Sequence, residues 1–150
     1  MTAPVRSHRE ATLLLVEDDD IDAKAFERAM RKMKLLNPVR RARDGQEALE
    51  ILQRNEVSSP FIILLDLNMP RMGGLEFLES VRRDPVLTGS VIFVLTTSKS
   101  DEDLTMAYKE HVAGYILKQG IEAGFLNVID MIEHYWRVVE LPVMERTDSK

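Results

Sequence analysis

From Thr12 onward, short uninterrupted apolar runs alternate with longer stretches whose apolar residues recur at helical spacing. This alternation restricts the fold more than any other feature, because a strand that is apolar on both faces must be covered on both. It predicts five strand-helix repeats forming a parallel sheet between two helical layers. The first strand is expected over Thr12 to Val16. A helix should start near Asp20 or Asp22, with Ala25, Phe26, Ala29, Met30 and Met33 on one stripe, and stop at Asn37 and Pro38.

The second strand, Val39 to Arg43, is the most polar and so suits a sheet edge. Asp44 and Gly45 turn the chain into a helix carrying Ala48, Leu49 and Leu52, before the apolar run Phe61 to Leu65, which must be central. A helix with Leu75, Phe77, Leu78 and Val81 ends at Asp84 and Pro85, and Val91 to Leu95 makes the fourth strand. A fourth helix is expected from about Asp101 to His111, a fifth strand over Gly114 to Leu117, and a last helix from about Glu122 to Trp136. Its inward residues would be Phe125, Val128, Ile129, Ile132 and Trp136. Right-handed crossovers leave few doubly wound arrangements for such a (βα)5 chain, and order 2-1-3-4-5 puts the polar strand at an edge. The expectation is therefore a flavodoxin-like α/β fold. With 150 residues, 45% of them hydrophobic, one core and one domain suffice. That domain would span 12–140, between a flexible start at 1–11 and a flexible tail at 141–150.

Composition removes several function classes. Without cysteine there are no disulfides, thiolate nucleophiles or cysteine-held metals. A net charge of −5 disfavours nucleic acid, which needs a concentrated basic face, and the run Arg40, Arg41, Arg43 reads as solvated strand surface. His8, His111 and His134 lack metal-ligand spacing. No apolar run reaches the ~18 residues of a membrane span, and the start lacks a signal-peptide pattern, so a cytoplasmic protein is expected.

In the expected strand order, the carboxyl ends of strands one, three, four and five meet at one crevice. The residues there are Glu17 and Asp18, Asp66 and Asn68, Thr96 and Thr97, and Lys118. Each has a bland role: an aspartate can cap a turn, a threonine can bond backbone, and a lysine is usually solvated. Together they suit a divalent cation and a phosphoryl group. Magnesium takes hard oxygen ligands and keeps several waters, which assigns Asp18, Asp66 and the Asn68 carbonyl, with Glu17 acting through water. Asp66 can then attack phosphorus as a carboxylate nucleophile. Lys118 and the Thr96 hydroxyl or nearby backbone amides would meet the phosphoryl oxygens left by the metal.

Four segments in order, LeuLeuLeuValGluAsp, IleIleLeuLeuAspLeuAsnMetProArgMetGlyGly, ValLeuThrThrSer and GlyTyrIleLeuLys, resemble the signature of the two-component response regulator receiver family. The resemblance covers about Thr12 to Tyr135. It implies a phospho-acceptor at Asp66, magnesium contacts from Glu17, Asp18 and Asn68, and switch partners Thr96 and Lys118, with Tyr115 as the aromatic rotamer switch. Phosphorylation would draw Thr96 inward, admit Tyr115 to the space it leaves, and reshape the face of helix four, strand five and helix five.

HisValAlaGlyTyrIleLeuLys and GluHisTyrTrpArgValValGluLeuPro further resemble the stand-alone regulators that partner phytochrome-type sensor histidine kinases. That implies a kinase phosphohistidine as phosphoryl donor. The apolar tail residues Trp136, Val138, Val139 and Leu141 suggest a homodimer contact, or equally a tail folded on its own domain. Met69 and Met72 could be core filler or a kinase-docking rim with Ala23, Phe26 and Glu27. Many receivers have proline after the active-site lysine, whereas Gln119 and Gly120 follow Lys118 here. The Lys118–Gln119 peptide is expected to be trans, since cis costs about 3–4 kcal/mol before a residue other than proline. Two other functions fit less well. An aspartate-nucleophile phosphatase would need a second acid where Asn68 stands. A phosphorylation-independent interaction module would have lost an acid or the lysine.

Overall fold

The computed structural model describes residues 11–32, 34–57, 60–67, 69, 72–96 and 110–117, with backbone alone at Thr96 and 115–117. The elements are β1 (Thr12–Val16), α1 (Asp20–Lys32), β2 (Val39–Ala42), α2 (Gly45–Gln53), β3 (Phe61–Asp66), α3 (Gly74–Arg83), β4 (Val91–Thr96) and β5 (Gly114–Leu117). The strands pair in parallel in the order β2-β1-β3-β4-β5. The polar strand stands at an edge, and the most apolar run lies between β1 and β4.

Alternation along the strands splits the apolar residues into two clusters rather than one core. Leu14, Val16, Ile63, Leu65, Ile92 and Val94 face Ala48, Ile51 and Leu52 of α2 and Phe77, Leu78 and Val81 of α3. Leu13, Leu15, Ile62, Leu64, Phe93 and Leu95 face Ala23, Ala25, Phe26, Ala29 and Met30 of α1. Helices on opposite faces of one parallel sheet make the fold doubly wound. Phe26 and Phe77 are fully buried and anchor the two faces.

The starts of α1 and α2 are set by carboxylates. Asp19 accepts from the Ile21 and Asp22 amides at 2.8 and 3.1 Å, capping α1 one residue before the expected start. Asp44 caps α2 by accepting from the Glu47 amide at 2.8 Å, and Glu47 reaches back to the Arg43 amide at 2.8 Å. The Arg43 amide is thereby turned out of the ladder, and β2 ends at Ala42 rather than Arg43.

At the opposite edge of the sheet, Arg82 of α3 donates to four backbone carbonyls. Nε reaches Glu110 at 2.7 Å, Nη2 reaches His111 at 2.7 Å, and Nη1 reaches Thr88 and Ser90 at 2.7 and 3.0 Å. Burial pushes the Arg82 pKa below its ordinary value, opposed by the Glu110 carboxylate. His111 sits in a turn with φ 59, so the expected fourth helix does not extend through it. The rest of that helix, the last helix, Met33, His8, His134, Trp136 and the tail lie outside the described residues.

Candidate functional site at the carboxyl ends of the strands

The register of β1 against β3 pairs Val16 with Leu65, so one step further the chain brings Glu17 beside Asp66. Both continue the alternation of Leu13 and Leu15, and of Ile62 and Leu64, toward the α1 side of the sheet. Asp18 joins them from the start of the β1–α1 turn. Carboxylate oxygens of Glu17, Asp18 and Asp66 lie within 4.8 Å of one another. Glu17 is 1% and Asp66 6% exposed, while Asp18 is more open to solvent.

Two like charges ~4 Å apart repel by about 4 kcal/mol at the effective dielectric of a protein surface, so a cation placed among the three carboxylates relieves their mutual repulsion. The ligand oxygens of a hexacoordinate magnesium ion, at 2.0–2.1 Å from the metal, lie about 3–4 Å apart. Three carboxylates within 4.8 Å of one another, offering oxygen donors alone, are compatible with one such cation.

The turn carrying the first two acids is held from several sides. The Glu17 amide donates to the Ala42 carbonyl at 2.9 Å, and the Asp19 amide donates to Glu17 Oε2 at 3.2 Å. Arg41 donates from Nε to the Glu17 carbonyl at 2.9 Å and from Nη1 to Asp20 at 2.7 Å, with Arg43 adding a 3.3 Å contact to Asp20. The Arg41 bond, then the Arg43 charge, holds the Asp20 carboxyl below the usual carboxylate range. Arg41 is thus not the solvated residue its neighbours in sequence suggest: β2 lies next to β1, and its side chain points at the turn β1 leads into.

Behind Asp66 the chain turns tightly into α3. The Gly74 amide donates to the Leu67 carbonyl at 3.1 Å, and a Cβ on Gly74 would lie 2.6 Å from Leu67 Cα and 2.8 Å from the Asp66 carbonyl oxygen. Met72 takes a left-handed backbone, φ 35, and its carbonyl accepts from the Gly45 amide at 3.2 Å. Met72 and Met69 pack half-buried against the α2–α3 cluster. Ala23 and Phe26 are buried beneath α1 and cannot form the rim proposed for them. Among the described residues, Ile21 is an apolar side chain 66% exposed on the first turn of α1.

The model of the response regulator receiver domain matches residues 13–130. The chain belongs to the response regulator receiver family. It is similar to response regulator Rcp1 of Synechocystis, 30% identical over 141 residues that cover 91% of this chain and 96% of that one. It is also similar to the probable methanogenesis regulatory protein FilR2 of Methanothrix harundinacea, 35% identical over 83% of this chain and 82% of that one. The solved structure of the phosphorylated cyanobacterial phytochrome response regulator RcpA superposes with a TM-score of 0.80 at 32% identity, covering 89% of this chain and 99% of that one. A manganese-bound form of Rcp1 matches with a TM-score of 0.77 at 30% identity, over 89% and 99% of the two chains.

Receiver domains are signalling proteins that partner histidine kinases and bind Mg2+ at an acidic pocket. The cluster of Glu17, Asp18 and Asp66 is compatible with that pocket. Thr96 ends β4 and pairs with Leu117, and Tyr115 pairs with Val94, but the Thr96 hydroxyl and the Tyr115 ring are not among the described side chains. Asn68, Thr97, Lys118 and Gln119 lie outside the described residues, and so does the Lys118–Gln119 peptide. No helix among the described residues is long and apolar enough to cross a membrane.

Sequence reading missed the roles of Asp19, Arg41 and Gly74. A capping rule finds Asp19, since an aspartate directly precedes the helical stripe. Nothing local marks Arg41, whose role comes from contact with a distant segment, or Gly74, whose role comes from the close approach of the β3–α3 connection to itself.

Proposed function

We propose that this receiver domain is the phospho-acceptor of a phosphorelay, taking a phosphoryl group onto Asp66 from a sensor histidine kinase of the phytochrome type. The observation that carries this reading is the three-carboxylate cluster with Asp66 buried at the end of the central strand. Similarity to Rcp1 and RcpA, the latter named as a phytochrome response regulator, supports the choice of kinase.

In the transfer, a carboxylate oxygen of Asp66 attacks phosphorus, a P–O bond forms, and the P–N bond to the kinase histidine breaks with its electron pair leaving on nitrogen. Asp18, Asp66 and the Asn68 carbonyl would hold Mg2+, with Glu17 acting through water. Bound there, Mg2+ neutralises charge on the transferred phosphoryl group. The Lys118 ammonium meets a second phosphoryl oxygen, and the Thr96 hydroxyl or nearby amides a third. Thr96 and Tyr115 then carry the switch to the fourth and fifth strand-helix units. The same site assists loss of the phosphoryl group to water, so the protein is a signalling acceptor rather than a turnover enzyme. It works in the cytoplasm, and its tail contributes to a homodimer.

Incubation with a light-regulated phytochrome-type kinase, labelled ATP and Mg2+ tests the reading. Acid-labile label should appear on the wild type and be absent from Asp66→Asn; label retained by the variant refutes Asp66 as acceptor. Size measurement with and without a phosphoryl mimic tests the dimer.

A further inference from the structure

We propose that Arg41 is a positioning residue for the metal site, an inference that rests on reading Glu17, Asp18 and Asp66 as that site. The peptide of Glu17 is held at both of its polar groups by β2: its amide donates to the Ala42 carbonyl at 2.9 Å, and its carbonyl accepts from Arg41 Nε at 2.9 Å. The same guanidinium takes Asp20 through Nη1 at 2.7 Å. One planar fork thereby fastens the β1–α1 turn at residues 17 and 20, on either side of Asp18, and fixes the turn against the edge strand before any cation arrives.

Net stability explains an arginine here poorly, because the bond to the Glu17 carbonyl, about 1.5–3 kcal/mol, is largely offset by the buried Nη2. The Asp20 carboxylate is 58% exposed, and exposed ion pairs contribute roughly 0–1 kcal/mol. Arg41 Nη2 is buried without a hydrogen-bond partner among the described residues, an arrangement that costs about 1–3 kcal/mol. Charge alone is no better: a cation beside a cation site repels the ion, so if charge ruled, removing it would tighten binding. What the guanidinium adds is geometry, because two acceptors are engaged from one rigid plane, which an ammonium cannot do.

Calorimetric titration of MgCl2 into the unphosphorylated full chain tests this, with Arg41→Lys and Arg41→Gln beside the wild type and thermal unfolding of all three in EDTA. Arg41→Lys keeps the charge and loses the fork. It should raise the Kd for Mg2+ about 3- to 10-fold, less than the ~10–100-fold typical of groups bonded to a ligand side chain itself. Arg41→Gln should also bind more weakly. Magnesium binding by Arg41→Lys equal to wild type, or tighter binding by Arg41→Gln, overturns the inference. So does a lowered EDTA midpoint with unchanged Kd, the signature of a purely structural role. A wild type that binds no Mg2+ overturns the metal reading as well, whereas normal wild-type binding with unaffected variants removes only the role of Arg41.

Discussion

Gly73 and Gly74 are neighbours in sequence and opposites in space, so replacing each by alanine should have different consequences. A Cβ on Gly73 would meet nothing closer than 3.8 Å, and its φ of −63 suits any residue. Lower entropy of the unfolded chain favours Gly73→Ala by about 0.4–1 kcal/mol. Loss of a good N-cap residue opposes it by roughly 0.5–1 kcal/mol, leaving a net effect within about 0.5 kcal/mol of zero. On Gly74 the new atom would lie 2.6 Å from Leu67 Cα and 2.8 Å from the Asp66 carbonyl oxygen. These are backbone atoms, so no rotamer change relieves the clash, and the start of α3 must move away from the end of β3. Overpacking of this kind costs about 1–3 kcal/mol. Offset by the same entropy gain, Gly74→Ala should be destabilised by about 1–2 kcal/mol, which lowers Tm by roughly 2–8 °C for a chain of this size. Urea denaturation of both variants in EDTA is the assay. A Gly74→Ala protein within 0.5 kcal/mol of wild type, or a Gly73→Ala protein equally destabilised, refutes the claim that backbone approach at Asp66 requires glycine.

Arg82→Ala removes four bonds to the Glu110, His111, Thr88 and Ser90 carbonyls and should cost about 2–4 kcal/mol in urea, with Arg82→Lys recovering less than half because an ammonium cannot span them. Asp19→Ala should cost ~1 kcal/mol through loss of the α1 cap, and Asp19→Asn should retain most of that stability by the same measurement. The Asp20 pKa is lower folded than unfolded, so its contribution is complete above the ordinary carboxylate range and is lost as pH falls through the depressed value. Asp20→Asn should accordingly flatten the acid arm of the stability profile of the metal-free protein without changing its shape near neutrality.

Much of this molecule is local in origin. The runs Leu13 to Val16, Phe61 to Leu65 and Val91 to Leu95 are apolar without interruption, and such strands are stable only inside a sheet covered on both faces. The polarity of Val39 to Ala42 likewise assigns an edge before any coordinates are known. Handedness then fixes which strand ends meet, so Glu17, Asp18 and Asp66 could be collected from their positions alone. Periodicity sees residue type and spacing along one element and nothing across elements. The β1–β3 register is what brings Glu17 beside Asp66, and the adjacency of β2 and β1 turns Arg41 from a solvated strand residue into the fork that holds the Glu17 carbonyl. The same limit hid Gly74, whose missing side chain matters only because Leu67 and the Asp66 carbonyl come within reach of it. Sequence alone thus determined the layers, the strand order and the acids at the strand ends. Tertiary structure decided which backbones press against those acids and which cation holds their turn, because those contacts join residues that no local pattern links.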